Sequence, residues 1–123
     1  MTNDLMLARM LKLVLDRPLV LRLYDAAGGT EKDLREISGG GYKPLALTPA
    51  DWSIISGSPV TAEGAVREFR FDGTKSLEAL GSYLTLANGD ILWVKPFTDG
   101  GIKVGRRGDI IPVRPIMKFG PIL

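Results

Sequence analysis

Residues 81–116 are a succession of short apolar segments, each closed off by turn residues. Gly81-Ser82-Tyr83-Leu84-Thr85-Leu86 leads to Asn88-Gly89, and Ile91-Leu92-Trp93-Val94 follows. Pro96-Phe97 and Asp99-Gly100-Gly101 precede Ile102-Lys103-Val104; Gly108-Asp109 precedes Ile110-Ile111-Pro112-Val113. Asn-Gly between apolar runs is a hairpin signal, because both residue types tolerate positive φ. Pro112 and Pro115 cannot donate ladder hydrogen bonds, so the last strand is predicted to be an edge or to be bulged. The turn from Gly105 to Asp109 carries Arg106 and Arg107 at its tip. This punctuation points to a mainly β protein.

The preceding residues fit the same reading. Leu19-Val20-Leu21-Arg22-Leu23-Tyr24 places three leucines on one face of a strand. Ala65 to Phe71 alternates, and Phe69 and Phe71 mark its buried side. Tyr42 to Leu47 is an extended stretch, and Ile54-Ile55 and Pro59-Val60 read as strand fragments. Thr48-Pro49-Ala50-Asp51 has the form of a helix start, with a capping residue, proline in the first turn and an acid three residues on. Trp52 directly after it is expected to anchor that turn onto the core. Lys32 to Ile37 is compatible with a helical turn or an extended segment, and Leu77 to Leu80 is ambiguous, with one helical turn among its readings. Gly39-Gly40-Gly41 reads as a hinge, since it lacks the Gly-Lys-Ser/Thr ending of a phosphate loop.

Residues 3–16 predict a helix. Leu7, Met10, Leu11 and Val14 recur at helical spacing, and Met6 and Leu13 widen the stripe. Pro18 ends it by pushing Arg17 toward an extended conformation. Such a stripe either covers the domain's own core or docks on a partner. The expected organisation is an N-terminal helix or arm over residues 1–17 and a single β-rich domain over residues 18–123, a β-sandwich or a barrel-like fold.

Composition narrows the chemistry. The 123-residue chain has no cysteine and no histidine, which removes the thiolate nucleophile and the commonest general base and metal ligand. Asp72, Asp90, Asp99 and Asp109 each adjoin glycine or asparagine, where aspartate bonds its own backbone in turns. No metal-loop spacing of acids appears. The expectation is a protein that is not an enzyme and carries no metal or cofactor. Trp93, Phe97, Tyr83 and Tyr42 are the aromatics available to a sugar-binding groove, although alternation within strands more often means core. Residues 91–123 hold six lysines and arginines against two aspartates, within a net charge of +2. That asymmetry suits an acidic partner surface, with Arg106 and Arg107 foremost, and is too sparse for nucleic acid. Asp4, Arg9, Lys12 and Asp16 interrupt the N-terminal apolar run, so it reads neither as a signal peptide nor as a membrane span. A soluble protein made in a cytoplasm is expected.

The order Gly41-Tyr42, Trp52, Phe69 and Phe71, Gly81-Ser82-Tyr83-Leu84-Thr85, Leu92-Trp93, Phe97, Gly108-Asp109-Ile110, Pro112 and Ile116 forms a pattern. It resembles small structural proteins of tailed bacteriophages, particularly capsid cement or decoration proteins, over roughly residues 19–116. The resemblance implies a virion protein that binds the major capsid protein and stabilises the shell. It implies a homo-oligomer, a trimer being the form that icosahedral three-fold positions favour, and it carries over no catalytic residue. Leu7, Met10, Leu11 and Val14 on the helix, with Arg106 and Arg107, are the expected partner-binding residues. The neighbouring readings are a tail, baseplate or fibre component, and a carbohydrate-binding adhesin.

Overall fold

The computed structural model describes residues 9–10, 12–26, 34–55, 60–98 and 100–119. They form a mainly β protein preceded by one short helix near the N-terminus. The strands are β1 (Leu19–Ala26), β2 (Arg35–Glu36), β3 (Leu45–Leu47), β4 (Trp52–Ile55), β5 (Val60–Gly64) and β6 (Arg67–Arg70). They continue as β7 (Leu77–Ala79), β8 (Gly81–Leu86), β9 (Ile91–Pro96), β10 (Ile102–Val104), β11 (Ile110–Val113) and β12 (Ile116–Phe119). All pairings between them are antiparallel, and no sheet closes into a barrel.

Two long ladders organise the chain. In the first, β8 lies between β1 and β9, with Leu21 opposite Leu84 and Leu84 opposite Trp93. The far edge of β1 is shared, β3 pairing with Leu19–Leu21 and β2 with its other end. Leu80 joins β7 to β8 without a break: its N–H donates to Tyr24 and its carbonyl accepts from Phe97. β10 pairs β7 through Lys103 opposite Glu78. In the second ladder, β11 pairs β6 and β12 pairs β5, whose other edge carries β4. Ala65 and Val66 together face Arg114 alone between those pairings, a bulge at the junction.

Alternation explains how both ladders reach one core. Leu19, Leu21 and Leu23 are fully buried on one face of β1. Leu84 and Leu47 join them, and Phe69, Ile111, Val113, Val60, Ala62 and Met117 approach from the second ladder in the same cluster. Pro112 lies on β11, which among the described residues is paired on one side only, and Pro115 lies in the junction between β11 and β12, where the missing N–H groups break no ladder.

Several local expectations change. Leu77–Leu80 is extended, with Leu77 and Ala79 buried around an exposed Glu78; a three-residue alternation is too short to separate from a helical turn by pattern. Arg35 and Glu36 take the extended alternative of the two offered for Lys32–Ile37, while Lys32 lies outside the described residues. Asn88-Gly89 does turn the β8–β9 hairpin, but only Gly89 has positive φ, at 98°. Gly89 N–H donates to Leu86 and Leu86 N–H to Asp90, a three-residue loop with its glycine at the left-handed position. Asn88 instead caps the loop by accepting from the Asp90 N–H at 2.9 Å.

Gly39-Gly40-Gly41 is an ordered turn, not a hinge. All three residues have φ between +62° and +84°, where side chains are strained. Tyr42 N–H closes the turn on Gly39, and Asp72 N–H donates to Gly40. A Cβ at Gly40 would lie 2.9 Å from Leu77 Cδ1, so conformation and space both demand glycine. The Thr48–Asp51 start is a single 3-10 turn, Pro49–Asp51, closed by the Thr48 N–H donating to Asp51 Oδ2 at 2.7 Å. Trp52 packs against the core as expected, half-buried, with its indole N–H buried and unbonded.

Candidate functional site

The expected docking residues divide between the two ends of the β7–β8 run. The helix is described over residues 9–10 and 12–15. Leu15 is buried in the core at 3% exposure, whereas Met10, Leu13 and Val14 are exposed at 56%, 69% and 36%. The helix is thus tied to the domain by Leu15 and turns apolar surface outward. Of the two readings of its stripe, cover for the core does not hold for Met10 and Val14; Leu7 and Leu11 lie outside the described residues. The helix leads into β1 at Leu19, opposite Leu86.

Arg106 and Arg107 follow β10, beyond the pairing of Val104 with Leu77. They therefore lie past the opposite end of the ten-residue run from Leu77 to Leu86. Their turn is well anchored although both side chains are exposed. Asp109 Oδ2 accepts from the N–H groups of Gly105 at 3.0 Å and Arg106 at 2.9 Å. These two bonds, with the nearby Arg106 charge, hold the Asp109 carboxyl below its ordinary pKa. The backbone of Arg106 and Arg107 packs directly on Gly73. An open hollow of about 700 Å³ beside this turn is lined by Ser76, Glu78, Lys103 and Arg106.

The carboxylates singled out by sequence are occupied by turns. Asp72 Oδ1 accepts from Thr74 Oγ1 at 2.6 Å and from its N–H at 2.9 Å, bonds that lower its pKa. Asp90 bonds Asn88, and Asp99 lies outside the described residues. Among the described residues, no three acids converge as metal ligands, and no helix is long and apolar enough to cross a membrane.

Sequence reasoning missed the polar cluster on the outer face of β1. Arg22 Nη1 donates to both Glu36 oxygens at 3.0 and 3.1 Å, and its Nε donates to Thr85 Oγ1 at 3.1 Å. Tyr42 OH donates to Glu36 Oε2 at 2.7 Å and accepts from the Leu23 N–H at 3.1 Å. Its ring stacks on Phe69 with centroids 5.8 Å apart. Burial, then the bond to Glu36, raises the Tyr42 phenol far above its ordinary pKa. Every member is satisfied, so the cluster clamps β2 and the Tyr42 loop onto β1. The signal lay in Arg22, a charge on a strand whose other face is leucine. Tyr42 and Tyr83 are spent in packing, and of the four aromatics proposed for a groove, Trp93 and Phe97 share a hollow.

A scan against family models and searches of curated proteins and solved structures found no match to this chain.

Proposed function

We propose that this chain is a structural protein of a tailed-phage virion, a capsid cement or decoration protein that docks on the major capsid protein. The observation that carries the reading is the helix anchored by Leu15 with Met10, Leu13 and Val14 facing outward. A short helix gains its stability from covering apolar surface rather than from propensity, so this one calls for a neighbour. The rigid Arg106-Arg107 turn at the other end suits acidic capsid surface, and the two sites together let one domain bridge adjacent subunits. The two ladders would be the layers of a sandwich, three copies of which stand on a three-fold position. The pattern of glycines and aromatics in the sequence supports the phage assignment.

Mass spectrometry of purified particles tests it through copy number: a stoichiometry matching the capsid lattice is expected, and absence from particles overturns it. A tail-like copy number would favour the tail or baseplate reading. In reconstitution on particles lacking the protein, M10S/L13S/V14S should fold normally yet decorate poorly. Wild-type occupancy should fall as salt rises, because screening acts beyond about 10 Å at 0.1 M ionic strength, and R106E/R107E should decorate poorly at low salt. Full occupancy by both variants at every salt concentration would remove these surfaces from docking.

A further inference from the structure

The edge strands β9 and β11–β12 face one another across a groove that the docking surfaces above do not use. Two adjoining hollows lie in it, about 340 and 200 Å³, both lined by Trp93, Lys95 and Arg114. Lys118 and Ile116 complete the larger, and Phe97 and Thr98 border the smaller. Three cations and no described carboxylate line the two hollows. Lys95, Arg114 and Lys118 have exposed side chains, whereas Trp93 and Phe97 are half-buried against the core. Arg114 is steadied by a bond from its Nε to the Gly64 carbonyl at 3.3 Å. The strands are fixed by their registers, so the groove is present before any ligand arrives.

We infer that this groove binds an acidic saccharide, with a sugar ring against Trp93 and its carboxylate among Lys95, Arg114 and Lys118. The polar chemistry favours an anion. Lysine and arginine only donate hydrogen bonds, and a carboxylate only accepts them. A neutral sugar presents hydroxyls that also need acceptors, and among the described residues the side-chain oxygens lining the hollows are those of the Ser82 and Thr98 hydroxyls, with no carboxylate or amide. Clustered like charges repel one another until an anion enters, which is a driving force specific to charged ligands. The aromatic chemistry favours a sugar. The C–H groups of a pyranose face carry partial positive charge and suit the negative face of the indole. Single-stranded nucleic acid would want successive bases stacked along a longer basic track. Here two half-buried rings border hollows at or below the lower end of the range for small-ligand sites, about 300–1,000 Å³.

Titration calorimetry of the full chain with an oligogalacturonate tests this. Saturable binding is expected, with affinity falling at least about tenfold as salt rises from about 50 to about 300 mM, across which the screening length shortens. K95E/K118E changes only exposed side chains, so its melting temperature should hold while binding is lost. W93L should weaken binding as well, and the lysine pair keeps the test intact if that variant unfolds. A neutral glucose oligomer of equal length should bind far more weakly, and oligothymidylate no better than the neutral sugar. No oligogalacturonate binding at millimolar concentration, equal binding of the neutral oligomer, tighter binding of oligothymidylate, or unchanged binding by K95E/K118E would each overturn the proposal. None of these outcomes bears on whether the protein decorates capsids.

Discussion

The centre of the first ladder and the seam between the ladders are built from the same kinds of residue and serve opposite ends. β8 is buried along five of its six residues, because β1 and β9 pair it on both edges and both faces are covered. Its inner face meets the leucines of β1, and its outer face carries Tyr83 and Thr85, covered by Tyr24 and Arg22. At the seam, β9 and β11–β12 each leave one edge unpaired among the described residues, and Leu92, Lys95, Arg114 and Lys118 are exposed. A strand paired on both sides has every backbone group satisfied and tolerates almost no change. An edge strand keeps groups and side chains available for something else. The lesson is that stability is concentrated in β1 and β8, while the edge strands keep side chains free for the recognition proposed above.

The largest effect that could break this contrast is a cavity at the centre. Leu21→Ala should cost about 2–5 kcal/mol, the range for truncating a buried leucine. Leu92→Ala on the exposed side of β9 should cost under about 0.5 kcal/mol, as surface changes usually do. Denaturant unfolding checks both, and similar midpoints would erase the distinction between centre and seam.

Next in size is the crowding of loops at the far end. Gly73 has φ +79° and its backbone abuts Arg106 and Arg107, whereas Gly89 has φ +98° and open space around it. Gly89→Val should cost about 1–2 kcal/mol from left-handed strain alone. Gly73→Ala should cost clearly more, since the Arg106-Arg107 turn must also shift. Equal melting temperatures for the two variants would show that this turn is not seated on Gly73.

The outer polar cluster should be worth less than the leucine face beneath it. Glu36→Ala leaves the Arg22 and Tyr42 donors without their shared acceptor. Because both partners of the ion pair are partly exposed, the expected loss is about 1–2 kcal/mol, read from chemical denaturation. A loss as great as that of Leu21→Ala would place the centre's stability in the charge network instead.

The smallest effect is in acid. Asp72 and Asp109 have pKa values lowered in the folded protein by the bonds they accept. Their contribution is fully present above the ordinary value of 3.8. It is lost as pH falls below that value through the depressed folded ones. Amide exchange at Gly105, Arg106 and Thr74 should rise in that window, ahead of exchange at β8. Simultaneous loss would mean that the loops and the centre open as one unit.

Much of this architecture was legible in the residues themselves. Leu19, Leu21 and Leu23 declare a buried face by alternation, Phe69 and Phe71 do the same for β6 and the residue after it, and Asn88-Gly89 declares a hairpin. These signals are local: a side-chain period of two and a preference for positive φ need only a few neighbours to act. The helical alternative for Leu77–Leu80 and the hinge expected at Gly39–Gly41 failed for the complementary reason. Leu77 is extended because Val104 pairs with it, and the glycines are ordered because Asp72 and Leu77 press on them. Tertiary structure alone decided that Trp93 and Lys95 face Arg114 and Lys118, and that Glu36 and Tyr42 meet Arg22. Those meetings depend on which strand edges come together across stretches of chain that carry no mark of their eventual partner, and only burial of one shared core selects among them.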